Sequence, residues 1–352
     1  MIKKLFFLIL ILGMFGSIFL KDETFSSHEN RMLQSLPEFS IDSLLSAEYT
    51  SLLDDYFSDQ FPFRADWLRF HTSSERFLFA KNCINDVYLA KSDYLINRHS
   101  ASSIDAAQID KNINYLNEFT NRHSADVILV PTSSEVLKNI LPLGTYHIDQ
   151  SSYLANLDNL SSATDILYDK TKDYIYYKND HHWTMLGAYY VYSEYVDSPI
   201  EYNTHIASDD FLGSIYRQIN LSFSPDVLEG FDSKNEFNVT HDLQVETQTL
   251  YNRKALDTMD KYVYYLDGNH AISVIENKTT SSKEKLLIIK DSYANTFAPI
   301  IANDYHETHL IDLRFYNGSI KRYIEENNFD KILVLYNQIN FFKETNFIKL
   351  NM

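Results

Sequence analysis

The sequence predicts an α/β protein in which helices cover both faces of a central, mostly parallel sheet. Three features carry this prediction. Residues 126–130, 286–289, 308–312 and 331–336 are short, largely apolar runs, the pattern of strands buried on both faces. Helical patterns lie between and around them, at 104–121, 184–195 and 317–327; strands alternating with helices give a three-layer core. Polar clusters follow three of the runs: Thr132-Ser133-Ser134, Asp291-Ser292 and Asn337-Gln338. In such sheets active groups gather at the carboxyl ends of the strands.

Taken in order, the chain starts Met1-Ile2-Lys3-Lys4, runs apolar from Leu5 to Leu20, and continues Lys21-Asp22-Glu23. A basic start and an apolar stretch fit an export signal. As a helix the stretch would span about 24 Å, against ~30 Å for a hydrocarbon core. Ser17-Ile18-Phe19 is a poor cleavage site. The reading is an uncleaved signal anchor over 1–21, lysines inside and 22–352 outside, with a cleaved signal peptide as the alternative. Residues 22–45 are polar and turn-rich, a linker, and 46–352 form the α/β domain. Within it, 46–80 looks helical with a break at Phe61-Pro62-Phe63-Arg64. Val87-Tyr88-Leu89 and Tyr94-Leu95-Ile96 flank Lys91-Ser92-Asp93 as a hairpin. A further helix is expected at 150–172. Residues 200–280 read as a mixed, β-rich insertion with strands at 262–266 and 271–275.

Composition narrows the function. The 352 residues carry a net charge of −17, which argues against nucleic acid, because phosphate binding needs a basic surface. Cys83 is the only cysteine, so neither an intramolecular disulfide nor a cysteine metal site can form. The 26 Tyr and 23 Phe suit half-buried sheet surfaces and sugar-stacking faces equally.

The chemistry concentrates in two stretches, Tyr177-Lys178-Asn179-Asp180-His181-His182-Trp183-Thr184 and Lys290-Asp291-Ser292-Tyr293-Ala294-Asn295. Ser292 follows a strand and precedes a helix, where free backbone N–H groups can hold an oxyanion; a plain helix cap by Asp291 or Ser292 explains the same residues. Asp180 and His182 are two positions apart, so a tight turn can set the carboxylate beside the imidazole and fix its tautomer. A satisfied loop is one rival. A metal site built from Asp180, His181 and His182 with His306 or His309 is another; without an HExxH pattern it is the weaker one.

Asn179-Asp180-His181-His182-Trp183-Thr184 resembles the signature of the DHHW proteins, which are similar to the SGNH-hydrolase-like alginate O-acetyltransferases of bacteria. Further matching segments are Ser27-His28-Glu29-Asn30-Arg31, Leu36-Pro37-Glu38-Phe39-Ser40, the block from Tyr56 to Arg64, Val130-Pro131-Thr132, Leu141-Pro142, Lys290-Asp291-Ser292-Tyr293 and the run from Ile311 to Tyr316. The likeness spans roughly 26–345. It implies an SGNH-like core in circularly permuted order, with Ser292 as nucleophile, His182 as base and Asp180 as its orienting acid. Lys290 stands where the family's relatives usually have Gly. The Ser292 backbone N–H, Asn337 and Asn295 are candidate oxyanion donors. His181, Trp183, Lys290, Arg314, Thr132 and Ser133 are candidate substrate contacts. No cofactor or metal is implied.

Two functions stay in view. One is an extracytoplasmic O-acetyltransferase or O-acetylesterase acting on cell-surface or secreted polysaccharide. It would draw on an acyl donor, directly or through a membrane-bound acyltransferase. The other is a non-catalytic glycan-binding or assembly-scaffold protein on the same fold.

Overall fold

The computed structural model describes residues 9, 13, 16, 23–26, 31–221 and 224–351. Apart from Ile9, Gly13 and Gly16, the expected anchor over 1–21 lies outside these residues, as do Ser27 to Asn30. Among the described residues no helix is long and apolar enough to cross a membrane.

The described residues form two compact units. One takes those of 1–85 with Tyr216–Leu221, and holds helices Ile41–Leu45, Glu48–Asp59 and Arg64–Phe77. The helical stretch expected at 46–80 is thus two helices, parted where Phe63 enters the left-handed region at φ 57°.

The other unit, 86–215 with 222–352, carries the sheet. Beside the short hairpin Val87–Leu89 with Leu95–Asn97, which the sequence predicted, its strands are β1 (Asp126–Val130), β2 (Thr204–Phe211), β3 (Asp226–Phe231), β4 (Phe237–His241), β5 (Val245–Thr247), β6 (Ile272–Asn277), β7 (Lys285–Lys290), β8 (Glu307–Asp312) and β9 (Lys331–Asn337). Seven of them form one sheet in the order β5-β4-β6-β8-β7-β9-β1. The pairs β8-β7, β7-β9 and β9-β1 are parallel, whereas β5-β4, β4-β6 and β6-β8 are antiparallel. The sheet is therefore mixed. The β-rich region expected as an insertion supplies its antiparallel half, with β2 and β3 as a separate ribbon.

The main helices are α1 (Ala106–His123), α2 (Met185–Tyr195), α3 (Ala294–Ile301), α4 (Ile320–Asn327) and α5 (Gln338–Lys343). Crossover handedness distributes them. The step β7-α3-β8 moves one way along the sheet and β8-α4-β9 moves back the other way. Right-handed crossovers then put α3 and α4 on opposite faces. Packing agrees. Val127, Leu129, Leu287, Ile289, Ile311 and Val334 form one cluster with Ile113, Leu116 and Phe119 of α1 and Ile320 of α4. The alternate residues Ile128, Leu286, Ile288, Leu310, Leu333 and Leu335 are equally buried, as period-two strands covered on both sides must be. On the α3 side, Tyr192 of α2 meets Phe297 of α3 edge-on at 6.4 Å.

Two expected elements differ. Residues 150–172 hold only short turns, Ser151–Leu154, Ser162–Asp165 and Ile166–Asp169. Ser161 caps Ala163 and Asn159 sits at φ 57°; such side chains compete with the helix for backbone groups. The strand expected at 262–266 is a 3-10 turn, Lys261–Tyr264, because Leu266 and Asp267, both at φ 55°, leave the extended region.

Candidate active site

The loop that carries Asp180 and His182 is a tight antiparallel turn. Tyr177 N–H donates to the His182 carbonyl at 3.2 Å and Thr184 N–H to that of Ile175 at 3.0 Å. Thr184 then caps α2, accepting from Gly187 N–H at 3.2 Å. Asp226, at the start of β3, anchors the turn from outside: its carboxylate accepts Lys178 N–H at 2.8 Å, Asn179 N–H at 2.7 Å and the Tyr174 hydroxyl. Burial raises the Asp226 pKa, only partly opposed by these donors.

The serine arrives from the sheet. β7 pairs Lys290 with Asp312 of β8 and Leu335 of β9, so Asp291 and Ser292 emerge at the carboxyl ends of three parallel strands. Asp291 fastens the junction, while the helix that follows has no side-chain cap. Its carboxylate accepts Tyr293 N–H and Asn337 N–H, both at 2.9 Å, and Asn340 Nδ2 at 2.7 Å. Full burial raises its pKa against those donors. Ser292 is left available, and its Oγ lies 2.8 Å from His182 Nε2.

The imidazole closes the line. Asp180 Oδ1 lies 2.5 Å from His182 Nδ1 and accepts the His182 backbone N–H at 3.0 Å, while Oδ2 accepts Ser214 N–H at 2.7 Å. With Nδ1–H donating to the carboxylate, Nε2 is free to accept from Ser292. Burial works to raise the Asp180 pKa. The neighbouring histidines and the donated hydrogen bonds outweigh it and hold the carboxyl well below its ordinary value.

Residues 158–311 match the DHHW protein family. No curated protein sequence matches the chain. Among solved structures, a DHHW family protein from Eubacterium siraeum is 22% identical, with a TM-score of 0.62 over 76% of this chain and 95% of that one. Bacillus cereus PatB1 with a sulfonyl adduct is also 22% identical, at 0.58 over 73% and 96%. The O-acetyltransferase domain of Pseudomonas putida AlgJ is a weaker likeness, 11% identical at 0.44 over 73% and 92%. The first two share the α/β fold of this chain.

The DHHW signature residues divide by position. Asp180 and His182 form the line to Ser292. His181 turns outward, its side chain 38% exposed, with Nδ1 2.6 Å from Ser214 Oγ. Trp183 turns inward and is fully buried, donating Nε1–H to the Tyr293 carbonyl at 3.0 Å and stacking on Phe297. It packs the helix layer and offers no face to a sugar, which corrects the expected substrate contact. The ligand atoms of Asp180, His181 and His182 lie within 4.8 Å of one another. Both His182 nitrogens, however, already face Asp180 and Ser292. His309 is engaged elsewhere, with Tyr323 at 2.6 Å and Glu307 at 3.0 Å.

Other expected contacts also move. Lys290 is 2% exposed and donates to Asn295 Oδ1 at 2.7 Å and Asn269 Oδ1 at 3.0 Å; burial pulls its pKa down to about 8. Arg314 grips Asp312 through Nε at 2.9 Å and Nη2 at 2.6 Å. Both cations therefore brace the sheet end and are committed to protein partners. Asn337 caps α5 and donates to the Val130 carbonyl at 3.1 Å. Asn295 accepts from Lys290 and donates to the Gly268 carbonyl at 3.1 Å. These amides fasten loops, which replaces the oxyanion role expected of them. Thr132 is held by Gln150, at 3.2 Å from its N–H and 2.6 Å from its hydroxyl, with Ser133 buried beside it. Among the described residues, the Ser292 backbone N–H donates to no protein acceptor, so it is the oxyanion candidate that stays open.

Sequence reasoning missed two residues. Tyr262 lies flat on His182, centroids 3.7 Å apart and planes 8° from parallel. Its hydroxyl donates to the Ser292 carbonyl at 3.1 Å and bonds Thr296 Oγ1 at 2.7 Å. One tyrosine among 26 carries no signal of this. Tyr262→Phe, which keeps the stack, is expected to cost under about tenfold in kcat/KM. Tyr262→Leu is expected to cost about 100-fold, because small displacements of an aligned base carry penalties of that size. Steady-state rates on a small activated ester check the order.

Gly213 is the second. A Cβ there would sit 2.3 Å from Asp180 Cβ and 2.4 Å from its Oδ2, closer than atoms can approach. Gly213→Ala is expected to push Asp180 off His182 and lower kcat about 100-fold. Thermal unfolding of the variant would separate lost alignment from lost folding.

Proposed function

We propose that the chain is a serine acyl-transfer enzyme that moves an acetyl group onto, or off, a hydroxyl of a polysaccharide. The observation that carries this reading is the unbroken line Asp180–His182–Ser292, with steps of 2.5 and 2.8 Å. Nucleophile, base and orienting acid within hydrogen-bond reach are what acyl transfer requires.

In the proposed reaction Ser292 Oγ attacks the acyl carbonyl while its proton passes to His182 Nε2. Asp180 stabilises the imidazolium, and the oxyanion is met by the Ser292 N–H. The carbon–oxygen bond to the donor breaks, and the leaving oxygen takes the proton from His182. This leaves an acetyl ester on Ser292. A sugar hydroxyl or water then gives its proton to His182 and attacks the ester carbon; the bond from that carbon to Ser292 Oγ breaks, and Oγ takes the proton back from His182. Which acceptor fits better sets transfer against hydrolysis. The reading includes a permuted hydrolase order, since Asp180 and His182 precede Ser292, and an outward-facing location behind an N-terminal anchor.

The test is intact mass after incubation of the full chain with an activated acetyl ester and, separately, with a sulfonyl fluoride. Bacillus cereus PatB1 is seen with a sulfonyl adduct, which makes that reagent class a sensible probe. Adducts on Ser292 are expected. No adduct and no ester turnover would favour glycan binding or scaffolding without catalysis.

A further inference from the structure

A cavity opens beside the strand end that carries Gln338, at the same end of the sheet as Ser292. It measures about 650 Å³, within the range of small-molecule sites, about 300–1,000 Å³. Its wall includes Gln338, the residue after Asn337, whose own N–H binds the Asp291 carboxylate beside the nucleophile. β9, which Gln338 follows, lies directly beside β7, which Ser292 follows. The cavity and the serine are thus built on neighbouring strand ends.

One polar group there is out of balance. Gln338 is 5% exposed and donates Nε2–H to the Leu129 carbonyl at 3.1 Å. Its Oε1 is buried and finds no hydrogen-bond partner among the described residues. A buried acceptor left unmade costs about 1–3 kcal/mol, so turning this amide toward a donor from a ligand would be repaid. The rest of the lining is mainly acidic and hydroxyl-bearing, with Ser151, Ser161, Ser162 and Thr164 among the carboxylates. Lys138 lies 3.9 Å from Glu135, which leaves Asp149 and Asp165 as carboxylates without a lysine or arginine in the lining, beside His147. Glu135 is held by Gln150 N–H at 3.2 Å. Tyr168, Leu154 and Leu160 supply flat apolar surface.

A lining rich in acceptors, with an aromatic face, suits a ligand rich in hydroxyl donors with apolar ring faces. The surplus of carboxylates repels a second anion. We infer that this cavity is the glycan subsite of the chain, and that it takes sugar units without carboxylates in preference to uronates. The inference rests on the proposed polysaccharide reading, but binding can be measured without any acyl transfer.

The experiment presents the full chain, in detergent, with a printed panel of neutral, amino-bearing and uronate oligosaccharides, followed by titration of the best binder. Ser292→Ala, Tyr168→Ala and Gln338→Leu are carried alongside. Binding of a carboxylate-free glycan is expected for wild type and Ser292→Ala, weakened at least tenfold in Tyr168→Ala and Gln338→Leu. Turnover of a small activated ester by Tyr168→Ala should stay within about twofold of wild type. No binder on the panel, uronates bound best, or affinity indifferent to Tyr168 and Gln338 would overturn the inference. Ester turnover reports on the acyl-transfer proposal separately: its absence beside Tyr168-dependent binding sinks the chemistry and leaves the subsite standing.

Discussion

Ser292→Ala is expected to lower kcat/KM on an activated acetyl ester by about 10⁴ to 10⁶-fold, the scale seen when a triad nucleophile is removed. The variant should keep its fold. Ser292 is nearly buried and gives up one side-chain hydrogen bond, at 2.8 Å to His182, worth about 1 kcal/mol. Asp291, which ties the strand ends together, is untouched. The measurements are steady-state turnover and intact mass on protein whose melting temperature matches wild type. Turnover within about tenfold of wild type, or an acetyl adduct on the variant, would show that Ser292 is not the nucleophile.

The second large effect is expected from Asp180→Asn, a loss of about 10⁴-fold in kcat. A change of that kind in a comparable triad leaves geometry in place but presents the wrong tautomer. The physical reason is a count of donors. Asp180 accepts from His182 N–H, His182 Nδ1–H and Ser214 N–H. An amide has one acceptor oxygen, so its NH₂ must face at least one of those donors. If it faces Nδ1, the proton shifts to Nε2, which then cannot take the Ser292 proton.

The same substitution carries a pH signature. The Asp180 carboxyl is held well below its ordinary value. Its contribution to stability is therefore full above the unfolded pKa, about 3.9, and is lost as pH falls through that value toward the depressed folded one. Asp180→Asn removes that titration. Between about pH 5 and pH 2 its urea midpoint should fall less steeply than that of wild type. Equal slopes would mean that the carboxylate contributes nothing to acid stability.

Much of the core could be read directly. The runs at 126–130, 286–289, 308–312 and 331–336 became β1, β7, β8 and β9, because buried parallel strands need unbroken apolar sequence. The antiparallel extension was harder. β4 and β5 alternate and are short, and nothing local says that they join the same sheet instead of folding apart. Tyr262–Leu266 misled for a related reason: aromatic residues suit strands and buried turns alike.

At the site, the sequence by itself determined the chemistry on offer. Spacing put Asp180 two residues before His182, near enough for one turn to join them, and a strand-to-helix junction raised Ser292 out of the sheet. It could not decide which polar neighbours face the cleft. Lys290, Arg314, Asn295, Asn337 and Trp183 all lie beside the motifs, yet they brace or fill the scaffold. Tyr262 and Gly213, remote from any motif, shape the imidazole and its carboxylate. Tertiary structure decided these roles because hydrogen-bond commitment and close approach depend on which atoms meet in space. Those meetings, across 80 residues from His182 to Tyr262 or 33 from Asp180 to Gly213, leave no pattern in the order of the chain.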